Sequence, residues 1–210
     1  MQRLMRISAI GLCLGAGLVC GPARAATVVA VSDAELVAQS DAIFLGSVVS
    51  TRSVVRASDR VFTHARVQVY RGLHGVRRGQ VLTVEVAGGR RGDGIVASVP
   101  GAPSLHPGDV VVGFVARVGE QLRPLGLAYG WFRVTGAPDS QYVYRELEGL
   151  RLLTPPEQSG TTAATLDAVP LSEFLAHITQ LVRRQHGDGD VPPDAPWHSP
   201  AEGANPGVRP

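Results

Sequence analysis

RVFTHARVQVY, residues 60–70, is the stretch on which the fold turns. Read alternately, Val61, Thr63, Ala65, Val67 and Val69 fall on one side and Phe62, His64, Arg66, Gln68 and Tyr70 on the other. A period of two puts each set on its own face of a strand, whereas a helix would mix them. One face is apolar enough for a core. The other interleaves aromatic and cationic side chains with their polar tips outward, a candidate binding face at Phe62, His64, Arg66 and Tyr70. The competing expectation is an outer strand whose two aromatics lie under a helix.

Working outward, residues 42–50, 80–87, 110–118, 122–127 and 131–135 share the texture, each rich in Val, Thr, Phe or Tyr and bounded by Gly, Pro or Asp. A further strand is placed at 142–146. Strands joined by polar turns with no helix between them predict an antiparallel meander or barrel rather than βαβ units. Trp131 and Tyr129 share a parity opposite to Phe132, which predicts one set inside and the other outside. Residues 87–109 carry six glycines and three prolines and read as a long loop with one short strand near 95–99. Within it, Arg90 and Arg91 sit among Gly88, Gly89, Gly92 and Gly94, an arrangement that either cradles an anion or is a solvated turn.

Helices flank this core. Ser32-Asp33-Ala34-Glu35 is a capping-box pattern that opens a helix to about Gln39. Leu171, Phe174, Leu175, Ile178, Leu181 and Val182 recur at helical spacing, with Ser172 as expected N-cap and Gly187 as stop. The expected organisation is a barrel domain over 26–154, a linker over 155–170, the helix over 171–186 and a Pro/Gly-rich disordered tail over 187–210. The helix needs the barrel, being marginal alone in water.

The N-terminus reads as a targeting segment. Arg3 and Arg6 precede an apolar run over 7–19 that spans about 20 Å as a helix, short of the ~30 Å hydrocarbon core. Ala23-Arg24-Ala25 then supplies a small-x-small cleavage pattern, so residues 1–25 are expected to be a signal peptide and the protein periplasmic or secreted. Val19 is too bulky to precede a lipidated Cys20. Both cysteines, Cys13 and Cys20, leave with the signal, so the mature chain is expected to be disulfide-free. Cleavage also removes Arg3, Arg6 and Arg24, leaving 17 Arg against 18 Asp plus Glu, a net −1, from a precursor at +2. That balance argues against a nucleic-acid partner.

The 210 residues contain no lysine, which excludes Schiff-base chemistry and a Walker-type phosphate loop. No G-x-S-x-G or H-E-x-x-H motif occurs, and His64, His74 and His106 lack metal-ligand spacing. Arg91-Gly92-Asp93 spells an adhesion tripeptide, which three residues do by chance. A carboxylate pair is invisible to sequence spacing, so a periplasmic hydrolase stays open as an alternative, as does an envelope assembly accessory.

The runs SDAIFLGSVV (40–49), VYRGL (69–73), PGDVVVGF (107–114) and GLAYGWFRV (126–134) resemble segments of uncharacterised secreted bacterial proteins. The element order is similar to the netrin-type arrangement of tissue inhibitors of metalloproteinases. The resemblance implies an antiparallel OB-like β-barrel with a short N-terminal helix and a C-terminal amphipathic helix. It does not carry the inhibitors' mechanism, because their N-terminal zinc-chelating cysteine has no counterpart in a mature chain beginning Ala26-Thr27. The expectation is a non-enzymatic exported binding module without cofactor, metal or integral membrane segment. Its partner would be a protein or envelope component, held through Phe62, His64, Arg66, Tyr70, Arg90 and Arg91.

Overall fold

The computed structural model describes residues 25–56, 59–153 and 168–187. The expected signal peptide (1–25) and tail (187–210) lie outside the described residues except at positions 25 and 187, and so does the expected linker (155–170) up to residue 167; its last two residues, 169 and 170, form a short strand instead.

The elements are β1 (Ala26–Val29), α1 (Asp33–Gln39), β2 (Ala42–Val55), β3 (Val61–His74), β4 (Val81–Ala87), β5 (Gly89–Arg90), β6 (Val96–Ala97), β7 (Val110–Val118), β8 (Gln121–Pro124), β9 (Trp131–Thr135), β10 (Tyr142–Arg145), β11 (Leu150–Leu153), β12 (Val169–Pro170) and α2 (Leu171–His186). The chain is mainly β. A large sheet runs in the order β12-β10-β9-β7-β2-β3-β4-β8. The outer edge of β7 is shared: Val111 to Gly113 pair with β9, while Val115 to Val118 pair with β8. Since β8 also pairs with β4, the pairings β7-β2-β3-β4-β8-β7 return on themselves, and β9, β10 and β12 extend from the side. The sheet is mixed, because β4 and β8 run parallel, as do β1 and β11 in their separate pair.

Alternation then builds two cores. Ala65, Val67 and Val69 of β3 point inward with Phe44, Val48, Leu82, Val84, Val86, Val111, Val115 and Trp131. On the other side of β2, β7 and β9, Ile43, Leu45, Val112, Phe114 and Phe132 meet both helices. The inner core is dense at Gly113, where an added Cβ would lie 2.7 Å from the Phe44 ring and 2.9 Å from the Trp131 ring.

The Ser32–Glu35 capping box forms at α1 as its sequence predicts, with Glu35 N–H donating to Ser32 Oγ and Glu35 Oε2 accepting from Ser32 N–H. Helix α2 buries Leu171, Phe174, Leu175, Ile178 and Val182, each contributing about 1.5–3 kcal/mol of apolar burial before entropy. Its N-cap is Pro170, with no side-chain cap, rather than Ser172. The backbone instead satisfies Leu171 N–H through the Gln141 carbonyl.

Three strand expectations change, the first being β3, which runs on to His74 rather than ending at residue 70. The hairpin of β2 and β3 runs on to Val55 and Val61, past the predicted 42–50, because polar Thr51 and Ser53 hide the alternation there. The strand over 122–127 stops at Pro124, and Gly126 at φ 57° turns the chain into a 3-10 turn over Leu127–Gly130. Tyr129 therefore escapes strand parity. It packs on the helix side together with Phe132, while Trp131 alone faces inward.

Buried Arg145 ties that side together. Its guanidinium lies 4.4 Å from the Tyr129 ring centroid and 4.2 Å from that of Phe132. It donates to the Tyr129 carbonyl at 3.0 Å and to Asp33 Oδ1, at the start of α1, at 3.2 Å.

Candidate functional site

Strand register lays out the outer face of β2, β3 and β4 as rows. Ser50 stands opposite Arg66, and Arg66 opposite Thr83; Arg52 opposite His64, and His64 opposite Glu85; Val54 opposite Phe62, and Phe62 opposite Ala87. Helix α2 reaches β3 at the far end of the strand, where His74 stacks on His186 at 4.1 Å.

Glu85 is the pivot. Its side chain is 0 % exposed, and a buried carboxylate is tolerated only when its lone pairs are taken. Here they are. Oε1 accepts from Nε and Nη2 of Arg123, and Oε2 accepts from Nη2 of Arg56 and, at 3.0 Å, from Nε2 of His64. Burial by itself would raise the pKa of Glu85. The hydrogen bonds from His64 and Arg123 and the charges of Arg123 and Arg56 outweigh it and hold the carboxyl below its ordinary value.

Phe62 forms the floor of the cluster. The guanidiniums of Arg56, Arg123 and Arg60 lie 5.3, 5.4 and 5.9 Å from its ring centroid, within cation–π range. Arg56 and Arg60 are brought together by the hairpin itself, whose end is closed by Arg56 N–H donating to the Arg60 carbonyl at 2.9 Å. Arg123 arrives from β8 through the parallel contact of Val84 with Leu122.

The structure thus gathers Phe62 and His64 around Glu85 and leaves Arg66 exposed on the adjoining row. Tyr70 lies apart, further along β3, with its hydroxyl 2.6 Å from Ser47 Oγ. Arg90 is held through its backbone N–H to Ser53 Oγ at 3.0 Å. Arg91 pairs with Asp93 at 3.0 Å and with Asp59 at 3.5 Å, so the charges of the Arg91-Gly92-Asp93 tripeptide are turned on each other. Arg90, without Arg91, borders a cleft of about 430 Å³ on the opposite side of the β2–β3 hairpin, lined by Thr51, Ser53, Thr63 and Ser98 among others.

The three histidines considered together are apart in space: His64 on Glu85, His74 on His186, His106 3.7 Å from Asp109. Among the described residues no group of three or more His, Cys, Asp or Glu side chains is placed to hold a metal ion. Asp109 and Glu146 converge on one point, but Arg133 occupies it, bonded to the first at 2.9 Å and to the second at 2.7 Å.

Sequence reasoning missed Glu85, Arg56, Arg60 and Arg123. One signal for Glu85 was present, the lone charge in the strand VLTVEVA, on the same parity as Thr83. Nothing local announced Arg123, because a contact between β4 and β8 depends on how the sheet curls.

Comparison with protein-family models, curated proteins and solved structures finds no match to this chain. Among the described residues no helix is long and apolar enough to cross a membrane.

Proposed function

We propose that this chain is an exported, non-enzymatic binding module on an OB-like barrel of netrin-type layout, and that it holds a protein partner on the outer face of β3 and β4. The order β7-β2-β3-β4-β8-β7, with its one parallel pair, supports the barrel reading, as do the flanking α1 and α2. Five-stranded barrels of this kind use the outer face of their second and third strands, with adjacent loops, for ligands. The observation that carries the function is the cluster on that face: arginines fixed around a buried carboxylate and an aromatic floor, next to exposed Arg52 and Arg66. A cluster held in place before binding loses less side-chain entropy on complex formation than free arginines would. Export is supported by the charge–apolar–small order of the first 25 residues.

The test is affinity capture from the envelope of an exporting host, using the mature protein beside an Arg52→Ala/Arg66→Ala variant. Both substitutions are at exposed positions, so the variant should melt as wild type does, within roughly 0.5 kcal/mol per site. The partner should be captured by wild type and lost by the variant. A partner retained by the variant at the wild-type level overturns the assignment of the face.

A further inference from the structure

We infer that the ligand of this face is an acidic polypeptide segment whose carboxylates are received by Arg56, Arg60, Arg66 and Arg123. The inference rests on the binding reading above and names its chemistry.

The charge balance points to an anion. The paired rows place Arg52 and Arg66 on the face, Arg56 and Arg60 stand at the hairpin end, and Arg123 joins from β8. Glu85 is the single carboxylate on these rows. Asp59, beside Arg60, is engaged by Arg91. Glu85 fixes two guanidiniums without cancelling them. Arg123 gives it Nε and one Nη2 proton, and Arg56 gives it one Nη2 proton. A guanidinium has five N–H donors, so most of each fork is left over for an incoming acceptor. Arg56 and Arg123 remain 38 % and 35 % exposed, which keeps those donors within reach of a ligand.

The same geometry selects the kind of anion. β3 is paired along both edges, and β4 along one edge by β3 and at Val84 on the other by β8, so the face offers a ligand its side chains rather than a continuous free strand edge. Carboxylates suit that role, since a planar oxygen pair matches the guanidinium fork. Single-stranded nucleic acid is disfavoured. Phe62 is the one benzene ring on the rows, it is only 9 % exposed, and three guanidiniums already surround it, while the other ring, that of His64, is tied to Glu85. A base therefore finds no free benzene or indole ring on these rows on which to stack.

The experiment uses the mature protein purified from an exporting host and a fluorescein-labelled decaglutamate peptide, read by fluorescence anisotropy. Binding is expected, and it should weaken between about 20 and 200 mM salt as the exposed charges are screened. Arg60→Gln with Arg66→Gln should weaken it at least about tenfold, two lost charge-assisted contacts being ample for that factor. The variant's thermal melt should be unchanged. Three results overturn the inference: no decaglutamate binding, equal binding by the variant, or tighter binding of a deoxythymidylate oligomer of equal charge. The capture experiment separates the two failures. If Arg52→Ala/Arg66→Ala loses the captured partner but decaglutamate does not bind, the face stands and its acidic ligand falls. If the partner is kept, the face itself falls.

Discussion

Replacing Glu85 by glutamine probes the construction of the site. The change keeps the shape and removes the charge, leaving Arg56 and Arg123 facing a neutral amide that also turns a donor toward one of them. Breaking a fully buried ion pair costs about 3–5 kcal/mol. Here the carboxylate is 0 % exposed but its arginine partners are 38 % and 35 % exposed. Solvent screens them and they can swing away, so the figure is discounted to about 2 kcal/mol. At about 2–4 °C per kcal/mol for a chain of this size, the melting midpoint at neutral pH should fall by roughly 4–8 °C. The pH dependence follows from the direction of the shift. The folded-state pKa of Glu85 is depressed below the ordinary carboxyl value of 4.5. Its contribution is therefore complete above that value and is lost as pH falls through the lower, folded one. The gap between wild type and Glu85→Gln in a differential scanning calorimetry series should be constant above pH 4.5 and close as pH falls below it. A variant as stable as wild type at neutral pH, or a gap that persists undiminished in acid, would refute the reasoning.

Arg145→Ala should cost about 2–4 kcal/mol in chemical denaturation, because it removes a guanidinium lodged between Tyr129 and Phe132 and unties Asp33. Arg145→Lys should recover little of it, as an ammonium lacks the planar fork. Gly113→Ala should lower the unfolding free energy by about 1–3 kcal/mol, read as an earlier denaturant midpoint, since its Cβ would press on the rings of Phe44 and Trp131. Mass spectrometry of the exported protein should find Ala26 at the N-terminus without acylation; an intact Met1 or a lipid on Cys20 would contradict the export reading.

What was legible in the sequence was whatever a local period could encode. The alternation of residues 60–70 sorted Ala65, Val67 and Val69 to the interior, and the spacing of Leu171 through Val182 marked the buried side of α2. Chemistry that depends on long-range pairing stayed hidden. Glu85 and Arg123 are 38 residues apart and meet through a parallel contact that no hairpin turn announces. The short parallel pair of β1 with β11 was missed for the same reason, as four residues carry too little periodicity to stand out. Tyr129 was misjudged because strand parity was applied to a 3-10 turn. Of the proposed face, Phe62, His64 and Arg66 were found from alternation, and the residues that organise them were not.

Arginine footprinting tests the central claim most directly. The captured complex and the free protein would be treated with an arginine-selective dicarbonyl, digested and read by mass spectrometry. Arg60 and Arg66 should react in the free protein and be protected in the complex, while Arg183 and Arg184 of α2 should react equally in both. Protection confined to α2, or to Arg90 at the cleft, would contradict the account and move the recognition surface to the other side of the sheet.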